Sequence, residues 1–321
     1  MTDETIAKDF LPFFRRALDL AAANQGAVSR GPWIGWVVTD GAKIIDEGST
    51  QAAPLGLPAK SSENCTLFLS INPFATAREL AVWCDSLSTN KCFVATAPES
   101  PVRHEALHLN RRFLTWQQQK RPYLILKWAE TADGFIAPAH TDPYWISNAH
   151  ARRLVHQWRS QEAAIWVGKN TCLRDNPRLN VRHWNGANPL RVVVDLQLRL
   201  PDKLHIFDRS QPTLCYNAQK TETHENLAFV QIPENHSFWN ERIRFVLDDL
   251  YARQIQSVLV EGGPTLLSFL IGQGWWDETR VFRAPVSFRK GLSAPAINDL
   301  HCVGQQRISD NTLTVYRNPK S

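Results

Sequence analysis

The segment Val258-Leu259-Val260-Glu261-Gly262-Gly263-Pro264-Thr265-Leu266-Leu267 joins an apolar strand to a helix through a glycine pair, with proline near the first helical turn. Glycines at such a turn can take positive φ and let a backbone approach a ligand. The free amides of the helix start would then face an anion such as a pyrophosphate. A tight βα turn with nothing bound fits the same residues, and one glycine pair does not decide between the two. Three other stretches bring charge and polar caps to strand ends. Lys127-Trp128-Ala129-Glu130-Thr131-Ala132-Asp133-Gly134 runs from a strand into a turn. Trp145-Ile146-Ser147-Asn148 opens a helix that carries Arg152, Arg153 and Arg159. Val167-Gly168-Lys169-Asn170-Thr171 is followed by Asp175-Asn176-Pro177-Arg178-Leu179-Asn180-Val181-Arg182. Ligands of open α/β sheets bind at strand carboxyl ends. A single Arg is most often a solvated surface residue. Arg159 and Arg182 stand out as candidate phosphate clamps, because a guanidinium can bind phosphate bidentately.

Two patterns raise the question of a metal. His104-Glu105-Ala106-Leu107-His108 matches H-E-x-x-H within a helical stretch. The i, i+4 spacing puts both imidazoles on one face, and the glutamate could activate water. Arg111 and Leu114 occupy the places where a metzincin carries its next residues. A zinc metalloprotease is therefore kept only as an alternative to a solvated helix face with a His pair. The six cysteines (Cys65, Cys84, Cys92, Cys172, Cys215, Cys302) are scattered and contain no C-x-x-C. They read as free buried thiols.

These residues belong to a chain of 321 residues, a length that suits about two domains. Apolar residues make up 43% and charged residues 21%, which supports two cores and argues against long-range disorder. Lys and Arg number 36 against 31 Asp and Glu, a net charge of +5. Spread without a basic stripe, it suits a small anionic ligand better than a nucleic-acid groove. No apolar run reaches the ~18 residues of a membrane helix. The polar, acidic start Met1–Phe10 does not read as a secretory signal. The expectation is a soluble cytoplasmic protein that binds neither membrane nor nucleic acid.

The pattern predicts α/β organisation in both halves. Residues 5–23 read as a helix, and Trp33–Thr39 with Lys43–Glu47 as a hairpin about Asp40-Gly41. A Pro- and Ser-rich loop from Thr50 to Asn64 is followed by strand Cys65–Ile71, helix Ala75–Leu87, strand Lys91–Thr96 and helix Pro101–Gln119. The polar run Gln117 to Pro122 marks the candidate boundary. Beyond it come strand Tyr123–Ala129, helix Ser147–Arg159 capped by Ser147 or Asn148, and strands Ala163–Val167 and Leu190–Asp195. Weaker strands at Thr213–Tyr216 and Leu227–Ile232 precede helix Phe238–Arg253, strand Ser257–Val260 and helix Pro264–Ile271. Strands Glu278–Arg283 and Thr312–Tyr316 close the chain.

Residues 121–285 resemble the reductase domain of the bifunctional riboflavin-biosynthesis deaminase/reductase family. The resemblance rests on Arg121–Ala129, Asp133-Gly134, Trp145–Ser147 and Ala151–Arg153. It continues through Val167-Gly168, Thr171, Asp175–Pro177, Leu179, Arg182, Val192–Asp195 and Val260–Leu266, in the family's order. It implies a fold similar to dihydrofolate reductase, without G-x-G-x-x-G. It also implies NADPH-dependent reduction of 5-amino-6-(5-phosphoribosylamino)uracil to its ribitylamino product. Carried over residue by residue, Arg159 and Arg182 would hold the substrate phosphate and its surroundings. Glu261 would contact the substrate and take part in catalysis. Leu179 would line the site, and Lys127 would assist near the ribose unless it is a rim residue. Ala129, Trp145, Thr171 and Asp175 would face NADPH, and Gly263, Pro264, Thr265 and Leu266 would cradle its phosphates. Pro143 stands where the family often has a small polar residue, which weakens one expected substrate hydrogen bond without breaking the pattern. The contact to the 2′-phosphate is not readable, and Asn217 is named for it by position alone.

Residues 10–48 and 65–116 resemble the deaminase domain of the same family, through Arg15–Leu18, Gly31–Gly35, Asp40–Gly48 and Leu109–Phe113. Its zinc chemistry needs one His, two Cys and a Glu. The stretch after Gly48 that should carry H-x-E contains no His. Pro73 is followed by Phe74 instead of Cys, and Cys84 is the only cysteine nearby. The expectation is a shortened, degenerate cytidine-deaminase-like α/β/α domain (1–119) without zinc, joined to a reductase domain (120–321), in a homodimer. A non-catalytic scaffold, and a reductase for another ribosylaminopyrimidine or a pterin, are the alternatives.

Overall fold

The structure, a computed structural model, describes residues 3–23, 32–50, 65–72, 77–87, 89, 91–139, 144–297 and 301–320. The chain divides into two compact units, Met1–Gln117 and Gln118–Ser321. The first contains α1 (Asp3–Ala22), β1 (Ile34–Asp40), β2 (Lys43–Thr50), β3 (Cys65–Leu69), α2 (Ala77–Ser86), β4 (Lys91–Val94) and α3 (Arg103–Leu109). Helix α4 (Arg111–Gln119) follows. The strands form one sheet in the order β2-β1-β3-β4, with β3 and β4 parallel.

Side-chain alternation along β1 feeds two cores. Ile34, Trp36 and Val38 pack with Cys84 and Leu87, while Val37 packs with Phe14, Ala17 and Ala21 of α1 and with Ala106 and Leu109 of α3. Because both faces are covered, the strand reads as an unbroken apolar run. Phe10, Phe13, Phe14, Phe68 and Phe93 add ring contacts at 5.0–6.5 Å. Gly35 lets α1 lie directly on β1, since a Cβ there would come within 1.8 Å of the Ala17 carbonyl oxygen.

The second unit is built on a ten-stranded sheet. In chain order its elements are β5 (Tyr123–Thr131), β6 (Phe135–Pro138), α5 (Ala149–Gln161), β7 (Ala164–Gly168), α6 (Lys169–Asp175) and β8 (Leu190–Val194). They continue as β9 (Thr213–Asn217), β10 (Glu222–His224), β11 (Leu227–Gln231), α7 (Trp239–Ala252), β12 (Ser257–Val260) and α8 (Pro264–Gln273). The last are β13 (Glu278–Ala284), β14 (Gly291–Ser293), β15 (His301–Ile308) and β16 (Asn311–Arg317). The sheet order is β10-β11-β9-β8-β7-β12-β5-β13-β16-β15. From β11 to β13 every neighbouring pair is parallel, and the outer strands are antiparallel.

Strand alternation again sorts the cores. Leu124, Leu126, Trp166, Val258 and Val260 meet α7 and α8 through Ile243, Leu247, Leu267 and Leu270. Tyr123, Ile125, Leu259 and Phe282 meet Ala151, Val155 and Trp158 of α5 on the other face. A buried pair fixes the strand starts. Arg121 donates to Asp277 at 2.6 and 2.9 Å, and Asp277 also accepts the Leu124 amide at 2.7 Å.

Several sequence expectations are revised. The single helix expected over Pro101–Gln119 is two helices broken at Asn110, whose Oδ1 accepts the Trp33 amide at 2.9 Å. Strands β6, β10, β14 and β15 and helix α6 are not anticipated by the sequence pattern. Strand β15 is exposed along nearly its whole length and so carries no apolar alternation. Cys302 on it is exposed and Cys92 is half-buried, which corrects their reading as buried thiols. Most of the loop Thr50–Asn64 lies outside the described residues. Gly35→Ala is expected to push α1 off β1 and to destabilise the first unit by about 1–3 kcal/mol, as overpacking does. Urea unfolding of the variant beside the parent checks this.

Candidate active site

The sheet connections diverge at β7 and β12. From β7 the chain moves outward to β8, whereas from β12 it passes through α8 to β13, on the far side of β5. The carboxyl ends of β7 and β12 therefore flank a topological switch point, where open α/β sheets place their ligands. Gly168 ends β7 and Gly263 caps α8; a Cβ on Gly168 would lie 3.8 Å from the Gly263 amide nitrogen. A Cβ on Gly263 would lie 3.5 Å from Thr171 Oγ1. No side chain caps α8, and Pro264 opens it. The start of this helix thus keeps backbone amides turned toward the crevice. Gly263 has φ −68°, and Gly262 is not in the left-handed region either. The glycine pair therefore supplies space for close approach, and its expected conformational freedom is not used. Thr265 is exposed, while the Leu266 side chain belongs to the core, so Leu266 can offer only backbone.

Glu261 leaves β12 with its amide donating to the Trp166 carbonyl at 2.9 Å. Its carboxylate accepts Arg159 Nε at 2.8 Å and Nη2 at 2.9 Å, and Lys127 Nζ stands 3.9 Å away. The three side chains are only 10–13% exposed. Burial pushes the Glu261 carboxyl up, but the Arg159 and Lys127 charges and the Arg159 hydrogen bonds outweigh it and hold it at about 2. Burial lowers the Lys127 ammonium; the Glu261 carboxylate opposes this and Arg159 adds to it. Lys127, on β5 and 5.9 Å from the Phe282 ring centroid, is part of this buried cluster and not a rim residue.

Helix α5 starts at Asn148, which accepts the Ala151 amide at 2.8 Å, and ends at Gln161. This register puts His156 and Arg159, three apart, on one face. Arg159 also donates from Nη1 to the Asn180 carbonyl at 3.3 Å. Three of its five N–H donors are thus engaged, so it orients Glu261 and is not the free phosphate clamp that the sequence suggested. Arg182 keeps more freedom. Its Nη1 donates to Asn180 Oδ1 at 3.1 Å, and it lines an open cleft with Arg153, His183, Trp184 and Asn185. Arg153 lies over Trp184 at 5.4 Å. His156, almost fully buried, accepts the Arg182 amide at Nδ1 at 3.3 Å. Burial, then the Arg159, Arg182 and His183 charges, hold its pKa at about 4.

The other expected residues are more scattered. Leu179 sits at φ +57° with its side chain in the core beside Ile165 and Val193, so its carbonyl, which accepts Gln211 Nε2 at 3.4 Å, is what it can present. Thr171 lies in α6, and Asp175 ends it with a carboxyl that burial raises. Ala129 pairs with Phe282 in the sheet. Trp145 is 70% exposed, under the Arg152 guanidinium at 5.3 Å. Asn217 is fully buried and is spent on its own loop: its Oδ1 accepts the Gln219 and Lys220 amides and its Nδ2 donates to the Lys220 carbonyl. It cannot serve as a 2′-phosphate contact. Pro143 lies outside the described residues. Sequence reading missed His156, Asn180 and the Lys169–Asp195 contact at 3.8 Å. The i, i+3 spacing of His156 and Arg159 was the signal available for the first.

A model of the RibD C-terminal domain family matches residues 122–293. The chain belongs to this family, and its second unit holds a RibD reductase domain. It is 27% identical over 317 residues to the riboflavin biosynthesis protein RibD of Aquifex aeolicus, covering 88% of each chain. It is 32% identical over 191 residues to the 2,5-diamino-6-ribosylamino-4(3H)-pyrimidinone 5′-phosphate reductase of Archaeoglobus fulgidus, 56% of this chain and 87% of that one. A Thermotoga maritima structure titled as a deaminase and reductase superposes with TM-score 0.79 at 24% identity, covering 97% and 99% of the two chains. The fold is the mixed α/β fold of RibD proteins, with a dihydrofolate-reductase-like reductase unit.

Glu261→Gln leaves Arg159 and Lys127 largely buried without a counter-charge. We expect a loss of about 3–5 kcal/mol from the reductase unit, measured by urea unfolding. The folded-state pKa of Glu261 is depressed to about 2, so its contribution is complete above the ordinary carboxyl range and fades as pH falls toward 2. That acid-dependent part of the parent's stability should be missing from Glu261→Gln.

Proposed function

We propose that the RibD reductase unit reduces 5-amino-6-(5-phosphoribosylamino)uracil to its ribitylamino product with NADPH. The observation that carries this reading is the buried Arg159–Glu261–Lys127 cluster at the switch point, next to the arginine-lined cleft. The residues at the start of α8 fit NADPH. The amides there have no side-chain cap, and a methyl at Gly263 would reach toward Thr171 and fill the cradle. Gly263, Thr265 and Leu266 would hold its phosphates by their amides, with Pro264, which has no N–H, setting the helix start against them, and Ala129, Trp145, Thr171 and Asp175 around the rest. The chemistry that NADPH supplies when bound is a hydride for C1′ of the ring-opened ribose.

The nitrogen next to that carbon must gain a proton. Glu261, held at about 2, is a carboxylate at neutral pH and cannot give one. Lys127, whose ammonium is made more acidic by burial, can. Glu261 would accept hydrogen bonds from the substrate and keep Arg159 and Lys127 in place. Arg182 would take the substrate phosphate, with Leu179 lining the site. Lys169 and Asp195 are given no role in the reaction.

For the first unit we propose a deaminase-like domain that no longer deaminates. The stretches that should carry the zinc motifs, 51–64 and Pro73-Phe74, lie outside the described residues, and their sequence lacks the His and the first Cys. Among the described residues no three His, Cys, Asp or Glu groups gather as a metal site. Cys84 instead hydrogen-bonds with Cys92, and with burial this pushes the Cys92 thiol up. The His104/His108 pair lies on α3, with the Arg111 guanidinium 3.4 Å from His108 Nε2, a poor neighbour for a metal cation. A cytoplasmic homodimer completes the reading; among the described residues no helix is long and apolar enough to cross a membrane.

The similarity to the Archaeoglobus reductase favours a second substrate, the undeaminated diaminopyrimidinone phosphate, which suits a chain that cannot deaminate. Loss of NADPH absorbance with purified protein and each substrate separates the two. Turnover of the uracil supports the first reading, turnover of the diamino compound alone the second, and none with either overturns both. Arg182→Ala should raise the substrate KM roughly 10- to 100-fold, the worth of a charged hydrogen bond, with the NADPH KM little changed. Equal effects would remove Arg182 from the phosphate site. Zinc bound stoichiometrically to the purified chain would contradict the loss of the deaminase centre.

A further inference from the structure

Residues 176–189 have no helix or strand of their own, yet this stretch carries Arg182. It is pinned by its own side chains and by side chains from its neighbours. Asn176 Oδ1 accepts the His205 amide at 2.7 Å. Gln211 Nε2 donates to the Leu179 and Pro189 carbonyls at 3.4 and 3.1 Å. Asn188 Oδ1 accepts the Val181 amide at 2.8 Å, and Arg159 reaches the Asn180 carbonyl. His156 alone among these takes the amide of Arg182 itself. Its ring also meets the His183 ring edge-on, with centroids 4.8 Å apart.

From this geometry we propose that His156 is a positioning residue for substrate binding: its neutral ring, protonated at Nε2, accepts the Arg182 amide at Nδ1 and aims that guanidinium into the cleft. An amide donor requires an unprotonated Nδ1, so the tautomer follows from the contact. One helix then sets both arginines, Arg159 through its own side chain and Arg182 through His156. The charged groups around the ring are Arg159 on α5, Arg182 and His183 on the facing stretch and Glu261 after β12. Three of the four are cationic or can become so, and protonating His156 would add a like charge and destroy the acceptor. Burial and the Arg159, Arg182 and His183 charges outweigh Glu261 and keep the ring neutral well below the ordinary histidine range. The inference rests on the reading that Arg182 holds the substrate phosphate.

The test uses the full chain, with His156→Leu and with His156→Asn, whose Oδ1 can stand in for Nδ1. Hydrogen exchange of the peptide spanning Arg182 reads the positioning without any substrate. Exchange should be slow in the parent and in His156→Asn and about fivefold faster in His156→Leu, the worth of one neutral hydrogen bond. Nitrogen-15 histidine spectra of the parent should show His156 neutral at pH 5.5 with the proton on Nε2. Kinetically, His156→Leu should raise the KM for the phosphorylated substrate about fivefold. Its kcat, its NADPH KM and its KM for the dephosphorylated substrate should stay within twofold, and His156→Asn should restore the parent value. Equal exchange in all three proteins, an Nδ1–H tautomer, or equal losses with and without the phosphate would overturn the proposal. If His156→Leu fails to fold, the spectra and the His156→Asn exchange decide it. A parent that turns over neither substrate while the exchange pattern holds would sink the functional reading and leave the positioning intact.

Discussion

The buried carboxylate of Glu261 is the constraint around which the reductase unit is arranged. A carboxylate taken out of water is tolerated only with strong partners, and so are an ammonium and a guanidinium. Glu261, Arg159 and Lys127 therefore have to arrive together, although they come from three separate parts of the chain. Glu261 follows β12, Lys127 lies on β5 beside it, and Arg159 comes from α5, packed over the same strands. The register Val260 to Leu126 sets the first two side by side, and the α5 contacts of Val155 and Trp158 hold the third above them. Loss of Glu261 or Arg159 breaks the bidentate pair and leaves a buried charge without its hydrogen-bonded partner. The cluster is thus both a stability requirement and the fixed floor of the site.

The same sheet order explains why the anion-friendly features lie next to that floor. Chain connections part at β7 and β12, so the loops after both strands rise on either side of a crevice without crossing it. Gly168 ends β7 and the Gly262-Gly263 pair follows Glu261 after β12, and α8 opens with uncapped amides beside Thr171. Neither Gly262 nor Gly263 is needed for a positive φ. The absence of a Cβ is what counts, because a backbone that must meet a phosphate needs an open approach.

Much of this was legible in the sequence, and the limits have physical causes. Strands β5, β7, β8 and β12 are buried on both faces and stand out as apolar runs. Helix α5 announced its start through Asn148. The short α6 and the exposed β15 carry no such pattern, and the break at Asn110 coincides with a long-range bond to Trp33 that no local signal reports. At the site, the residue types at 127, 159, 182 and 261 could be picked out, but their pairing could not. Nothing in the spacing says that Arg159 is occupied by Glu261, that Asn217 is consumed by its own loop, or that His156 is turned toward Arg182. Those outcomes depend on which elements the sheet order makes neighbours.

The pairing also reorganises the charge available to a ligand. Lys127, Arg159, Arg182 and the cleft's Arg153 are four cations against the single carboxylate of Glu261, which leaves three positive charges within the cluster and its cleft when His156 is neutral. On the proposed reading this excess faces a phosphate monoester, which carries about −1.5 to −2 near neutral pH. A protonated His156 would add to that excess, with Arg182 pushed from behind by a like charge. On that reading Arg159, already tied to Glu261, contributes to the field without being able to follow the phosphate, whereas Arg182 has fewer ties. Division of labour between a fixed and a free arginine follows from one carboxylate, and it is set by the sheet before any ligand arrives.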